Sequence, residues 1–404
     1  MAGETVRAFR SWFWRPPRPH GATVHDRQVS NLELFYDLVY VAVIGQAAHH
    51  LAEDVTVSAI AGFAVVFAMI WFAWMNGSLY LEIHGRQDGR TRTVVFLQMG
   101  ILVVLAAFTA EATGESGGTF AVVYAVLFAV MGWLWYSVGG LDVAEYRTLT
   151  GVYVTGMVLS VVTALVSAVL PADLRLLVWA AFVVAWLVAI VAFGRMREFA
   201  LAVTPTHSLV ERFGQFTIIV LGEVIVGVVG GLADAMQDPI TIATGLLGLF
   251  VGFGFWWSYF DIVGRRLPRA AGPANARWLL GHLPITMAIA GAGAAMTSLI
   301  VQAHEPTVSA TTAWLIAGAV ALGLVAIVPT SLALEDADRL PAVYRKIATT
   351  LVVGAGAALL AGWTMPAPWL LALLLSAVLV IVWLVAIGRF LGARAWSEVD
   401  AEAL

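Results

Sequence analysis

Two long apolar segments of this chain begin with acidic side chains that could bind a cation or carry a proton. The first segment contains Glu33 and Asp37, which are four residues apart and therefore share one face of a helix. The second contains Glu211 and Glu223. A carboxylate inside a membrane is costly, so an acid within an apolar segment is a candidate functional residue. The two segments together predict an acidic site within a membrane.

Glu223 is the predicted central residue of that site. It lies about fifteen residues into its segment, near the middle of a bilayer at a rise of about 1.5 Å per residue. We expect its carboxyl group to be protonated, hydrogen-bonded to another helix, or open to water. The functional interpretation is a group that binds a cation, a proton or a cationic part of a solute. The structural alternative is a neutral acid that joins two helices.

Other polar side chains complete the predicted site. The predicted ion- or substrate-binding residues are Glu33, Asp37, Gln46, Glu211, Arg212, Gln215 and Glu223, with Tyr36, Tyr40, His50, His207 and His282 as accessory residues. A structural explanation stays open for some of them. An acid in a first helical turn complements the helix dipole, and the stripe from Gln46 to His50 and Glu53 also fits the solvated end of a helix. We predict no catalytic residue, metal site or cofactor.

The composition predicts a helical membrane protein with many spans. Of the 404 residues, 61% are hydrophobic and only 12% are charged, and apolar stretches of about 20 residues recur along the chain. Transmembrane β-strands would show short alternating runs instead. The net charge of -4 indicates no nucleic-acid partner. The chain has no cysteine, which excludes disulfides, thiolate metal sites and a cysteine nucleophile.

Twelve apolar stretches are long enough to cross a bilayer about 30 Å thick. They are 33–53, 57–80, 94–111, 119–139, 150–170, 174–193, 208–231, 239–262, 279–302, 311–333, 347–364 and 368–391. Every second loop is rich in arginine, and the loops between are almost free of positive charge. By the positive-inside rule, this alternation places both termini in the cytoplasm.

The chain also contains an internal echo with an offset of 178 or 179 residues. The second predicted span ends in Tyr-Leu-Glu82-Ile, and the eighth ends in Tyr-Phe-Asp261-Ile. With the matched acids of the opening segments, this predicts two six-helix repeats in the same orientation. The predicted organisation is an interfacial or cytoplasmic N-terminal segment at 1–32, repeats at 33–206 and 207–392, and a cytoplasmic tail at 393–404. In the N-terminal segment, Trp12, Phe13 and Trp14 fit an interfacial anchor.

The opening motifs resemble those of a known family. Leu32-Glu-Leu-Phe-Tyr-Asp37 and Glu211-Arg-Phe-Gly214, followed by Leu221-Gly-Glu223, are similar to motifs of the bacterial low temperature requirement A (LtrA) family. The resemblance implies a multi-pass protein of the bacterial inner membrane, and it supports the choice of acidic residues and Arg212. The family is named for a cold-growth phenotype, so the resemblance implies no particular substrate.

Three functions fit these patterns. The first is a transporter or channel in which Glu223 binds a cation, a proton or a small solute. The second is a lipid-binding protein or enzyme at the cytoplasmic leaflet, where Glu33, Asp37, His207, Glu211 and Arg212 are expected. The third is an assembly factor that transports nothing. The expected partners are the lipid bilayer and a small solute or cation, and a homo-oligomer is compatible with each function.

Overall fold

The protein is described by a computed structural model that covers residues 2–13, 15–20, 27–142, 144–195, 205–236, 238–270 and 272–393. Within these residues the regular elements are α-helices, and the one β-type pairing is an isolated bridge between Pro268 and Leu334. The helices are α1 (Ala2–Phe13), α2 (Asn31–Glu53), α3 (Val57–His84), α4 (Gly89–Thr109), α5 (Gly117–Gly139), α6 (Ala144–Ala168), α7 (Ala172–Phe193), α8 (His207–Asp234), α9 (Pro239–Ile262), α10 (Pro273–Val301), α11 (Ala310–Ser331), α12 (Asp336–Arg339), α13 (Pro341–Trp363) and α14 (Pro368–Gly392). The predicted all-α class is confirmed.

Each of the twelve predicted spans coincides with one long helix. In the part of the chain that the structure describes, 11 helices are long and apolar enough to cross a membrane, namely α3 to α11, α13 and α14. Helix α2 is 23 residues long but is not among them. Its apolar run is interrupted by Glu33 and Asp37 and ends in polar residues. The structure therefore supports a multi-pass membrane protein, with α2 the exception to the predicted twelve.

Several helices begin earlier than hydropathy predicts, because polar residues and prolines start them. In α4, which begins at Gly89 and not at the predicted 94, the side chain of Asp88 accepts a hydrogen bond from the Thr91 backbone N–H of the first turn. Proline occupies the first turn of α10 and of α13, where its missing N–H costs nothing. These first turns contain few apolar residues, so a count of apolar residues misses them.

The chain folds into two compact units. Unit 1 comprises Met1–Ala47 and Val65–Thr204, and unit 2 comprises Ala48–Ala64 and Pro205–Leu404. The end of α2 and the start of α3 thus belong to unit 2. Trp14 and residues 394–404 of the predicted tail lie outside the described residues.

Each unit is built around one well-packed helix. In unit 1, α5 packs against α4 and α6, and the ring of its Trp135 stacks on Tyr153 with a centroid distance of 4.2 Å. In unit 2, α10 packs against α8, α9 and α11. Gly227 of α8 meets Gly293 of α10 so closely that a Cβ atom on Gly227 would overlap the carbonyl oxygen of Gly293. Such contacts between small residues bring helix backbones together in a membrane.

Candidate functional site

Glu33 of α2 belongs to a buried ion-pair cluster in unit 1. The Arg27 guanidinium donates to both carboxylate oxygens of Glu33 at 3.0 Å and also to the Glu82 carboxylate. The hydroxyl of Ser30 donates to Glu33 at 3.0 Å. All three charged side chains are at most 14% exposed. Glu33 is thus held by a cation from the N-terminal segment, and the sequence analysis had not identified Arg27 as its partner.

Asp37 is fully buried one turn further along α2. The indole Nε1 of Trp74 donates to its Oδ1 at 2.8 Å, which ties α2 to α3. The hydroxyl oxygens of Tyr36 and Tyr40 are 3.3 Å apart, and both side chains are fully buried. This face of α2 is a polar seam with hydrogen bonds inside unit 1, and the Trp74 indole supplies a donor that the buried carboxylate of Asp37 needs.

The far end of α2 is exposed. Gln46 is exposed in unit 1. In the short segment that belongs to unit 2, His50 Nδ1 lies 3.9 Å from a Glu53 carboxylate oxygen and His49 Nε2 lies 3.4 Å from the other. The side chains of this group are between 42% and 70% exposed. This environment matches the solvated helix end that was the structural alternative for Gln46 and His50.

A buried N-terminal strap, residues 15–20, also lies in unit 1. The backbone N–H of Arg18 donates to the His84 carbonyl at 3.1 Å, and His84 Nδ1 lies 2.7 Å from the Arg18 carbonyl. The backbone N–H of His20 donates to Asp142 at 2.8 Å. Arg18 and His20 are only 6% and 5% exposed. Burial and the nearby Arg27 guanidinium lower the pKa of Arg18. Charge and hydropathy alone gave no signal for this docking.

The predicted residues at the start of α8 separate into exposed and buried ones. His207 and Glu211 are exposed, and the Gln215 amide donates to Glu211 at 3.0 Å. Arg212 is fully buried. Adjacent residues of one helix point in different directions, so Glu211 and Arg212 face different surroundings.

His282 is the centre of a polar node in unit 2 that the sequence analysis did not foresee. Its Nδ1 lies 2.7 Å from the Trp278 carbonyl, and its Nε2 lies 2.9 Å from the Tyr259 hydroxyl. A carbonyl only accepts, so Nδ1 carries the proton, and in a neutral ring Nε2 accepts from Tyr259. The ring of Phe213 contacts His282 edge to face at a centroid distance of 4.8 Å. Both ring nitrogens therefore have partners, and neither of these is an acid.

Glu223 of α8 differs from the other predicted acids. Its side chain is only 9% exposed. Among the residues that the structure describes, no hydrogen bond or ion pair reaches its carboxyl group. Its backbone is fixed by the tight contact with α10, because a Cβ atom on Gly293 would lie 2.6 Å from the Glu223 carbonyl oxygen. Beside it, a Cβ atom on Gly222 would meet nothing within 4 Å. Glu223 is thus a nearly buried acid on a helix whose backbone packs tightly against α10.

A further acid of unit 2 lies between helices. Asp238 accepts hydrogen bonds from the backbone N–H groups of Ile240 at 2.9 Å and Thr241 at 3.2 Å, and His304 Nε2 lies 2.5 Å from its Oδ2. The contact with His304 lowers the pKa of Asp238 to about 2, and the N–H donors act in the same direction. The sequences of the loops that carry Asp238 and His304 are distinctive only in their lack of positive charge, which gives no sign of this contact.

The structure brings the predicted residues together only in small groups. In unit 1, Glu33 and Asp37 take part in separate contacts of α2. In unit 2, Glu211 contacts Gln215. In the described parts of the chain, no group of three or more His, Asp or Glu side chains is arranged to hold a metal ion. Among the four predicted site acids, Glu223 is thus the one whose carboxyl group has no side-chain partner in the described residues.

One of the comparisons with known proteins gives a family. A family model described as the bacterial low temperature requirement A protein (LtrA) matches residues 28–387. The chain is similar to an uncharacterised protein of Rhizobium meliloti (strain 1021), with 26% identity over 273 residues. That match covers 63% of the chain and 65% of the relative, so the chain spans slightly less than two thirds of the relative's length. No solved structure matches the chain. The region matched by the family model, 28–387, contains every predicted site residue and excludes α1 and the N-terminal strap.

Proposed function

The chain belongs to the bacterial low temperature requirement A (LtrA) family, and on this premise we propose that it is a transporter or channel that moves a cation or a proton past Glu223. Multi-pass helical proteins place ionisable residues within their spans mainly where a solute, an ion or a proton is handled. The proposal extends to the location of the protein in the bacterial inner membrane.

The observation that carries the proposal is the state of the Glu223 carboxyl group. It is nine-tenths buried in a spanning helix and has no partner in the described chain. An ionised carboxylate in such a place is strongly disfavoured unless a cation, a proton or water meets it. Buried Asp37 and half-buried Asp261 differ, because Trp74 donates to Asp37 and Trp383 donates to Asp261 at 2.6 Å. Glu223 is therefore the acid that can exchange a proton or bind a cation without breaking an existing contact.

The remaining predicted residues receive distinct roles under this proposal. Glu33 and Asp37 fix α2 to its neighbours, since Arg27 and Trp74 already hold their carboxylates. Glu211, Arg212 and Gln215 supply charged and polar groups on the helix that carries Glu223. Tyr36, Tyr40, Gln46, His50, His207 and His282 are accessory residues.

The proposed topology keeps twelve spans and both termini in the cytoplasm. Helix α2 is the additional span, because its 23 residues are long enough for a bilayer and its acids are held by donors inside unit 1. The arginine-rich loops alternate with loops poor in positive charge, which supports this orientation. The two halves are proposed to be parallel repeats, based on the matched polar signatures.

The test is ion flux in proteoliposomes with imposed potassium and proton gradients. We expect Glu223→Gln, which removes the ionisable group and keeps the shape, to lower flux at least tenfold. The matched control is Glu305→Gln, which removes one negative charge from an exposed loop of unit 2 and should leave flux unchanged. Whichever gradient drives the Glu223-dependent flux identifies the transported ion.

Thermal unfolding in detergent accompanies the flux assay. Glu223→Gln should unfold within a few degrees of the native protein, because it breaks no contact described for this carboxyl group. Full flux in this variant would rule out a role for Glu223 in transport. Folded native protein without flux under either gradient would favour the lipid-handling or assembly functions instead.

A further inference from the structure

Unit 1 contains a second polar site that none of the sequence predictions included. A partly open cavity of about 20 Å³ lies between the N-terminal strap and helices α3, α4 and α5. A volume of this size holds one or two water-sized atoms. The polar residues that line it are Arg15, Tyr80, Asp88, Arg90, Thr91, Gln98 and Trp135.

Two buried hydrogen-bond donors line this cavity. Gln98 is 2% exposed and Trp135 is fully buried. Within the described residues, the amide Nε2 of Gln98 and the indole Nε1 of Trp135 have no hydrogen-bond partner. Buried donors are rarely left in this state, because each one loses its hydration without compensation. Both side chains suit a ligand that supplies acceptor oxygens.

The charge around the cavity favours an anion. Arg90 uses one donor on the Ser137 hydroxyl at 2.8 Å, which leaves further guanidinium N–H groups for a ligand. Arg15 is exposed, so it lies at the open side. The one acid, Asp88, already caps α4 by accepting from the Thr91 N–H at 2.9 Å. The cavity therefore has two guanidinium groups, from Arg15 and Arg90, and one carboxylate that is already hydrogen-bonded. It also adjoins the N-terminus of α4, and this combination suits an oxyanion.

We propose that this cavity binds a phosphate group, either as inorganic phosphate or as the headgroup of an anionic phospholipid. Phosphate oxygens enter the small cavity and accept from Gln98, Trp135 and Arg90, and the rest of the group faces Arg15. The neighbouring helix α1 suits a lipid source. Its Trp12 and Phe13 rings pack over Gly89 at the start of α4, while Val6 and Phe9 are 64% and 59% exposed. This site is independent of the function proposed for Glu223.

The test is ligand titration of the purified full-length protein in nonionic detergent, followed by thermal unfolding. Inorganic phosphate is added in one arm and short-chain phosphatidylglycerol in the other. A saturable rise in Tm in either arm supports the proposal and identifies the source of the phosphate group. We expect Arg90→Gln to raise the Kd at least tenfold. The control Arg92→Gln removes a neighbouring exposed arginine that does not line the cavity, and it should change the Kd less than twofold.

A second variant separates ligand binding from a structural role. Gln98→Leu removes the buried donor that has no partner, so the unliganded Tm should stay the same or rise while the response to ligand falls at least tenfold. If Gln98→Leu does not fold, Trp135→Phe removes the indole N–H and keeps a ring against Tyr153. The absence of a Tm rise with both ligands would overturn the proposal. The proposal would also be overturned if the Kd stayed unchanged both in Arg90→Gln and in whichever donor variant folds, Gln98→Leu or Trp135→Phe.

Discussion

The acids of α2 in unit 1 and the acid in the middle of α8 in unit 2 lie in opposite chemical environments. Arg27 and Trp74 donate to Glu33 and Asp37, so these carboxylates are neutralised or hydrogen-bonded within unit 1. Glu223 is about as buried as Glu33, at 9% against 8% exposure, and has no such donor among the described residues. These acids are similarly buried and differ in their hydrogen-bond partners. Glu33 and Asp37 hold helices together, whereas the Glu223 carboxyl group is available to an ion.

The same comparison limits what the sequence echo can mean. Glu33 aligns with Glu211, yet Glu33 is buried in an ion-pair cluster and Glu211 is exposed beside Gln215. Asp37 aligns with Gln215, and the two make different contacts. A similar polar signature in two helices therefore does not imply similar contacts, because the surrounding unit decides what each side chain does.

The largest expected effect is on the ion-pair cluster of unit 1. Arg27→Ala should lower the free energy of unfolding by about 3–5 kcal/mol, because it leaves the buried carboxylates of Glu33 and Glu82 without a compensating positive charge. Denaturant titration in detergent measures the loss. Arg92→Ala, an exposed arginine, should change the free energy by less than about 0.5 kcal/mol. Equal effects would show that the Arg27 cluster contributes no more than a surface charge.

The Trp74–Asp37 hydrogen bond should give the next effect. Trp74→Phe keeps a ring in the core and removes the N–H that donates to Asp37. We expect a loss of about 1.5–3 kcal/mol, as for hydrogen bonds to charged groups. The control is Trp363→Phe, since that side chain is 65% exposed. If Trp74→Phe left the free energy of unfolding unchanged, the hydrogen bond to Asp37 would not stabilise the fold, and Asp37 would not differ from Glu223 in this respect.

The backbone contact that fixes Glu223 can be tested with two glycines of one helix. Gly227→Ala should lower the free energy of unfolding by about 1–3 kcal/mol, because the new methyl group would overlap the Gly293 backbone. Gly222→Ala adds the same methyl group where nothing lies within 4 Å, so it should be neutral or slightly stabilising. The same denaturant titration compares them. Equal losses would contradict a specific close contact between α8 and α10.

The smallest expected effect concerns Asp238, an acid of unit 2 that does have partners. Its folded pKa of about 2 is below the usual value, so the ionised form stabilises the fold above about pH 4. This contribution disappears as the pH falls from about 4 through about 2. His304→Ala removes the main cause of the low pKa and should lower Tm above pH 4, with the difference vanishing near pH 2. A Tm difference that stays constant from pH 5 to pH 2 would argue against this linkage.

The sequence predicted the long helices well and their side-chain partners poorly. Hydropathy identifies a span because apolar residues must be consecutive to cross a bilayer. Partners come from distant parts of the chain, as Arg27 does for Glu82 and Trp383 does for Asp261, and no local pattern encodes them. His282 was predicted only as an accessory residue, and no pattern in the sequence indicates that its two ring nitrogens contact Tyr259 and the Trp278 carbonyl. Gln98 was missed because a single amide in an apolar stretch has no distinctive spacing.

The N-terminal strap has a consequence for the order of events during synthesis. His20 leaves the ribosome long before its partner Asp142, which is 122 residues later in the chain. At about 5–20 residues per second, that interval lasts about 6–24 s. His84, the partner of Arg18, is made within this time, but the strap lacks its Asp142 contact until the end of it. Several helices must therefore enter the membrane before the strap can dock completely. Full docking of the strap is therefore a late step that follows synthesis of the first four long helices, α2 to α5, and a bulky tag fused ahead of α1 would interfere with assembly at that moment.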